Sequence, residues 1–227
     1  DEAKPSWYTS VPTMHQLILT RAGRNEEIIA RNKLRFIRSS SSSLAPSVMA
    51  ELESVFEAPV IESYGMTEAA HQMTSNPLPE SPRKPGTVGI AAGPRVAIMD
   101  DAGAIQPQGT TGEIVILGPN VTTAYQNNPE ANATAFTNGW FRTGDQGFLS
   151  DAGDLSLNGR IKELNNRAGE EISPLEIDGV MLKHPAVAEA VCFAVPDEKY
   201  GEVIHAAVVL KGDANAESIR TFCREQM

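Results

Sequence analysis

The chain has 227 residues, 41% hydrophobic and 21% charged, with a formal net charge of −10, enough length and apolar content for one large domain or two smaller ones. The acidic balance and the lack of a Lys/Arg cluster argue against a nucleic-acid or membrane-surface partner, since both need a basic face. No apolar run is long enough to span a bilayer, and DEAKPSWYTS lacks the basic-then-apolar order of a signal peptide. Cys192 and Cys223 have no metal-type spacing, which fits a reduced, intracellular setting.

From the start of the chain to about residue 85, helix and strand signals alternate. Thr13 is placed to cap a helix through MHQLILTRA, and Leu34 to Arg38 has strand composition. Pro46 opens a helix whose Val48, Leu52, Val55 and Phe56 share a face. A short strand at Val60 and Ile61 then runs into Tyr64-Gly65-Met66-Thr67-Glu68. Such alternation predicts an α/β layer with a mostly parallel sheet and ligands beyond its strand ends.

Asn76 to Gly89 carries four prolines, Pro77, Pro79, Pro82 and Pro85, and reads as a loop. Between residues 86 and 160 the signals become short strands, RVAIMD, EIVILG, GFLS and DLSLNG, separated by DDAG and SDAG turns, which predicts a compact, barrel-like β region. Gly109-Thr110-Thr111-Gly112 reads as a turn ahead of EIVIL. From 161 to 227 a small α+β unit is expected. Ser173 caps a helix with Pro174 at its first position and Glu176 three residues on, running to about Lys183. Strands at AEAVCFAV and HAAVVLK and a helix near Glu217 to Arg224 follow.

Two blocks carry chemistry. In residues 140 to 171, Asp145 and Arg160 flank a glycine-punctuated hairpin, and a carboxylate beside a guanidinium suits the paired hydroxyls of a ribose. The bland alternative is an ordinary surface ion pair. In the Tyr64 to Glu68 block a strand end delivers a hydroxyl and a carboxylate side by side: Thr67 can donate to a phosphate oxygen, and Glu68 offers the hard oxygen that Mg²⁺ requires.

Together the blocks resemble the adenylate-forming superfamily of acyl-CoA synthetases, luciferases and peptide-synthetase adenylation domains, over almost the whole chain. Within it, VPTMHQLIL, RSSSSSLAP, YGMTEAAHQMTSNPLPE and GRIKELNNRAGEEISPLEID are most similar to the oxalate-CoA ligases of plants and fungi. The resemblance implies that residues 1–85 are α/β part of the large domain, 86–160 a barrel-like subdomain and 161–227 a small mobile domain. It implies ATP or AMP, Mg²⁺ and CoA as ligands and a small carboxylic acid as substrate, in a cytoplasmic or peroxisomal enzyme.

By the same resemblance Tyr64 packs near the adenine, Ser41 and Ser42 lie against it, and Thr67 contacts phosphate. Glu68 then binds magnesium, Asp145 and Arg160 hold the ribose, Lys162 is the hinge and Gly169 lies where the pantetheine arm passes. Gly86-Thr87-Val88-Gly89 matches a turn closing the acyl pocket. His15 and His71 occupy motif-matching places and suit a dianionic acid such as oxalate, since imidazoles supply donors and positive charge, although Met66, Ala69, Ala70 and Met73 could line an apolar pocket instead.

The family's phosphate loop is expected upstream of residue 1 and its activating lysine beyond residue 227. Ala168-Gly169-Glu170-Glu171 departs from the family pattern, in which a cation stands where this chain has Glu171. The reading is an ATP-dependent carboxylate-CoA ligase, incomplete as it stands; the alternatives are a non-catalytic nucleotide- or CoA-binding remnant and a luciferase-like or peptide-synthetase domain.

Overall fold

A computed structural model describes residues 3–167 and 170–227. The chain divides into two compact units, Asp1–Leu157 and Asn158–Met227. In the first, β1 (Trp7–Ser10), α1 (Pro12–Ala22), α2 (Glu26–Arg31), β2 (Phe36–Ser39), α3 (Pro46–Phe56) and β3 (Val60–Tyr64) make the α/β part. Strands β1, β2 and β3 are parallel neighbours, with Ile37 opposite both Tyr8 and Val60. Two short strands, β4 (Thr74–Ser75) and β5 (Ile90–Ala91), extend the sheet in antiparallel sense.

The core of this layer joins Ile37 and Val60 to Leu44, Met49 and Leu52, all nearly or fully inaccessible to solvent. Its helix-side centre is therefore Met49 and Leu52, while Val48 and Phe56 lie at its margin. Helix α1 corrects the sequence reading at its start. Its cap is Val11 with no side-chain cap bond, and Pro12 opens the helix, so Thr13 lies inside the first turn. Pro12 suits that place because its missing N–H would have had no partner there.

An antiparallel sheet follows, built from β6 (Arg95–Met99), β7 (Gly112–Leu117), β8 (Phe136–Thr137), β9 (Trp140–Leu149) and β10 (Leu155–Arg160), with helix α4 (Pro129–Ala135) between β7 and β8 in the chain. The strand order is β10-β9-β7-β6, with β8 beside β9. The expected turns are present: Gly103 and Gly153 take φ of +84° in DDAG and SDAG, and Thr110 N donates to Pro107 O ahead of β7. WFRTGD and the GFL of GFLS are one ten-residue strand, ending at Leu149, rather than a lead-in and a short strand. Ala69 and Met73, just past β3, pack with Ile116 and Phe141 of this sheet, a contact that ties the two parts of the first unit together.

The second unit holds β11 (Asn165–Arg167), β12 (Glu170–Ile172), α5 (Pro174–Met181), β13 (Val187–Asp197), β14 (Gly201–Leu210) and α6 (Ala216–Gln226). Its sheet runs β12-β11-β14-β13, with a long antiparallel hairpin of β13 and β14. Met181, Val187, Cys192 and Ile219 form its core. Ser173 caps α5 as expected, accepting from Glu176 N at 3.3 Å, and the helix ends at Met181 rather than near Lys183. Helix α6 carries a complete capping box between Asn215 and Ser218.

Candidate functional site

Strands β2 and β3 are parallel, so the segments that leave them, residues 40–45 and 65–73, emerge at one edge of the sheet. Ser41 and Ser42 are exposed in the first of these, and Ser41 adopts a left-handed φ of +72°. The serine loop is held at both ends: Ser40 N donates to Ser10 O at 3.2 Å, and Leu44 N donates to Glu62 Oε1 at 3.1 Å. Glu62 is 4% exposed, and burial pushes its carboxyl pKa up to about 7 against the opposing hydrogen bond from Leu44. Its second oxygen, Oε2, has no hydrogen-bond partner among the described residues.

The YGMTE block turns sharply off β3. A Cβ on Gly65 would sit 2.2 Å from His71 O, so only glycine lets the chain fold back on itself there. Thr67 to Ala69 forms a single 3-10 turn that leaves Thr67 exposed and Glu68 half-buried. Tyr125 Oη donates to Glu68 Oε1 at 2.8 Å, and Thr122 N donates to Glu68 O at 2.7 Å. Asn120 Nδ2 spans the turn, donating to Ala69 O at 2.8 Å and Gln72 O at 3.1 Å. Asn120, Thr122 and Tyr125 escaped the sequence reading, because a single side chain holding a distant turn leaves no periodic or motif signal.

Asp145 lies at a break in β9. Pairing with β7 is regular up to Gln146 opposite Glu113 and resumes at Arg142 opposite Val115, so Ile114 alone faces Thr143, Gly144 and Asp145. This is a β-bulge, a device that re-aims a side chain by interrupting the ladder. Thr143 Oγ1 donates to Ile114 O at 2.7 Å and accepts from Asp145 N at 3.1 Å. The Asp145 carboxylate, in a residue 8% exposed, accepts a hydrogen bond from Tyr64 Oη through Oδ2. The two blocks singled out in the sequence thus meet side chain to side chain.

His71 is exposed on the turn, with φ of +70°. His15 has no accessible surface: it lies under the sheet beside Tyr8, whose hydroxyl is 3.4 Å from Nδ1, and burial pushes its pKa below the ordinary histidine value. In the second unit, Arg160 ends β10 and Lys162 is exposed in a one-turn 3-10 segment from Ile161 to Glu163. Glu171 is exposed on β12 opposite Asn166, and Gly169 lies outside the described residues. Among the described residues no group of three or more His, Cys, Asp or Glu could hold a metal ion, and no helix is long and apolar enough to cross a membrane.

The family described as AMP-binding enzyme matches residues 1–126, and the AMP-binding enzyme C-terminal domain matches residues 176–227. The chain belongs to the AMP-binding enzyme family. It is 53% identical to an oxalate–CoA ligase of Arabidopsis thaliana over 225 residues, covering 98% of this chain and 44% of the relative. The ATP-bound crystal structure of MatB from Rhodopseudomonas palustris superposes with a TM-score of 0.90 at 30% identity, covering 99% of this chain and 45% of that one. An o-succinylbenzoate CoA synthetase of Bacillus subtilis, solved with its acyl-adenylate intermediate, gives a TM-score of 0.84 at 32% identity, covering 100% and 46%. The family member described here therefore spans a little under half the length of these relatives, and its α/β layer, antiparallel sheet and small α+β unit are part of the adenylate-forming fold.

Proposed function

We propose that this chain carries the adenosine side of the active site of an ATP-dependent carboxylate–CoA ligase acting on oxalate or another small polar acid. The observation that carries the reading is the hydrogen bond from Tyr64 to Asp145, which joins two motifs 81 residues apart in a chain of the AMP-binding family. A buried carboxylate at a bulge, with an aromatic ring beside it, suits a nucleoside: the ring packs on a base and the carboxylate accepts from ribose hydroxyls. The 53% identity to the Arabidopsis oxalate–CoA ligase supports the choice of acid.

In this reading a substrate carboxylate oxygen attacks the α-phosphorus of ATP, pyrophosphate leaves, and a CoA thiol then displaces AMP from the acyl carbon. Ser41 and Ser42 are assigned to the adenine, Thr67 to a phosphate oxygen, and Asp145 and Arg160 each to the ribose. Lys162, exposed near the start of the second unit, is assigned as hinge, with domain boundaries near residues 85 and 160 as part of the same proposal. Gly169 is assigned to the pantetheine path and His71 to the acid. His15, assigned to the acid together with His71, is interior, so its role would be from behind the surface that the substrate meets.

Glu68 is the group that would hold Mg²⁺. Its carboxylate is half-buried and supplies a hard oxygen, the ligand type that Mg²⁺ usually shares with nucleotide phosphates. The ion would neutralise phosphate charge. Calorimetric titration of the 227-residue chain with AMP, with and without Mg²⁺, tests the reading: saturable heat is expected, and none at high protein concentration would overturn it.

A further inference from the structure

Gly144 N–H lies inside the β9 bulge, where it has left the regular ladder. The carboxylate of Glu113, on the neighbouring β7, takes it: Gly144 N donates to Glu113 Oε1 at 2.9 Å. The other oxygen, Oε2, accepts from Arg142 Nε at 2.6 Å and also pairs with Nη2 of the same guanidinium. The two side chains are only 10% and 19% exposed, so the contact is formed away from solvent. Arg142 is braced in turn by Thr137 Oγ1 at 3.4 Å and Met99 Sδ at 3.8 Å. Gly144 itself has φ of +74°, a conformation that a regular strand does not require.

We propose that Glu113 is a positioning residue for Asp145: it holds the bulge open, and the bulge aims the ribose-facing carboxylate at Tyr64. The inference rests on the nucleotide reading for its functional meaning and on the hydrogen bonds alone for its geometry. One carboxylate binds the residue before the extra segment, Arg142, and a residue within it, Gly144, so the segment is clamped from both sides of Thr143. Without the clamp a part-buried N–H loses this acceptor. The segment holds two residues more than β7 supplies opposite it, and because side chains alternate along a strand, a closure that absorbs one of the two turns Asp145 away from Tyr64.

Glu113→Ala and Glu113→Gln separate this role from simple packing. Both leave Arg142 without its ion-pair partner, but glutamine keeps a carbonyl for Gly144 N–H. Two measurements are read together: amide hydrogen exchange at Gly144 and Asp145 in the free chain, and the ratio of affinities for AMP and its 2′,3′-dideoxy analogue.

In the alanine variant exchange at both amides should accelerate about tenfold or more, and the nucleotide ratio should fall about tenfold, as expected when hydrogen bonds to a charged acceptor are lost. Glutamine should restore both. Should the alanine chain not fold, Glu113→Asp retracts the acceptor by one methylene while keeping the charge, and the same two changes are expected. Unchanged exchange in the alanine or aspartate variant overturns the proposal. So does an unchanged nucleotide ratio in a chain where Asp145→Ala loses it. If Asp145→Ala leaves the ratio at its original value, the ribose assignment fails instead, and exchange at Gly144 decides the positioning role by itself.

Discussion

Tyr64 and Glu62 share a strand and carry different burdens. Tyr64 Oη serves a carboxylate that is 8% exposed, so Tyr64→Phe removes a donor to a charged, buried acceptor and should destabilise the first unit by about 1.5–3 kcal/mol. Urea unfolding followed by tryptophan fluorescence reads this directly, because both tryptophans, Trp7 and Trp140, belong to that unit. Glu62 gives a pH signature. Its folded pKa, about 7, lies above the ordinary 4.5, so between these values the folded state holds a proton that the unfolded chain releases. The resulting stability is complete below about pH 4.5 and is lost as pH rises through 7, a change on the order of 3 kcal/mol. Glu62→Gln should flatten that part of the profile, so that the difference between variant and parent grows from pH 5 to pH 8; an equal difference at both values would show that Glu62 is already ionised in the folded chain.

Elements with a local signal were the legible ones. The strands RVAIM and GEIVIL, the DDAG and SDAG turns and the Ser173 cap are each specified by residues next to one another, and each stands where the sequence placed it. Helices α2 and α4 were not foreseen. EEIIAR is too short to show a period, and Asn128 and Pro129, a cap and first-turn pair that does accept from Ala131 N, lie in a polar stretch that reads as loop. The bulge in β9 was out of reach for a deeper reason. A bulge is a relation between two strands, and nothing in RTGD states that Ile114 will lie opposite three residues. Tyr64 and Asp145 were recognisable as motif residues, whereas their hydrogen bond required the register that sequence does not contain. At this scale α6 offers a clean test. Its reciprocal cap rests on Asn215 and Ser218, and Asn215→Ala should cost about 0.5–2 kcal/mol, measured by thermal unfolding followed by circular dichroism.

Over the whole molecule the two units differ in what they can report. Tryptophan is confined to the first, and near the start of the second the segment Ile161 to Glu163 is a single exposed turn flanked by Arg160 and containing Lys162. Brief trypsin treatment should cut there before it cuts within the strands, releasing two fragments whose masses place the break after Arg160 or Lys162. First cleavage elsewhere would argue against an accessible hinge at this position. The bond between Tyr64 and Asp145 spans 81 residues, so it forms only after the α/β layer and the antiparallel sheet have both folded and met through Ala69, Met73, Ile116 and Phe141. A chain that folds only its local pieces has helices and turns but no such junction. Nucleotide binding would then act as a census of molecules: the stoichiometry of a titration would count the fraction whose first unit is fully assembled, and added nucleotide would raise that fraction by mass action.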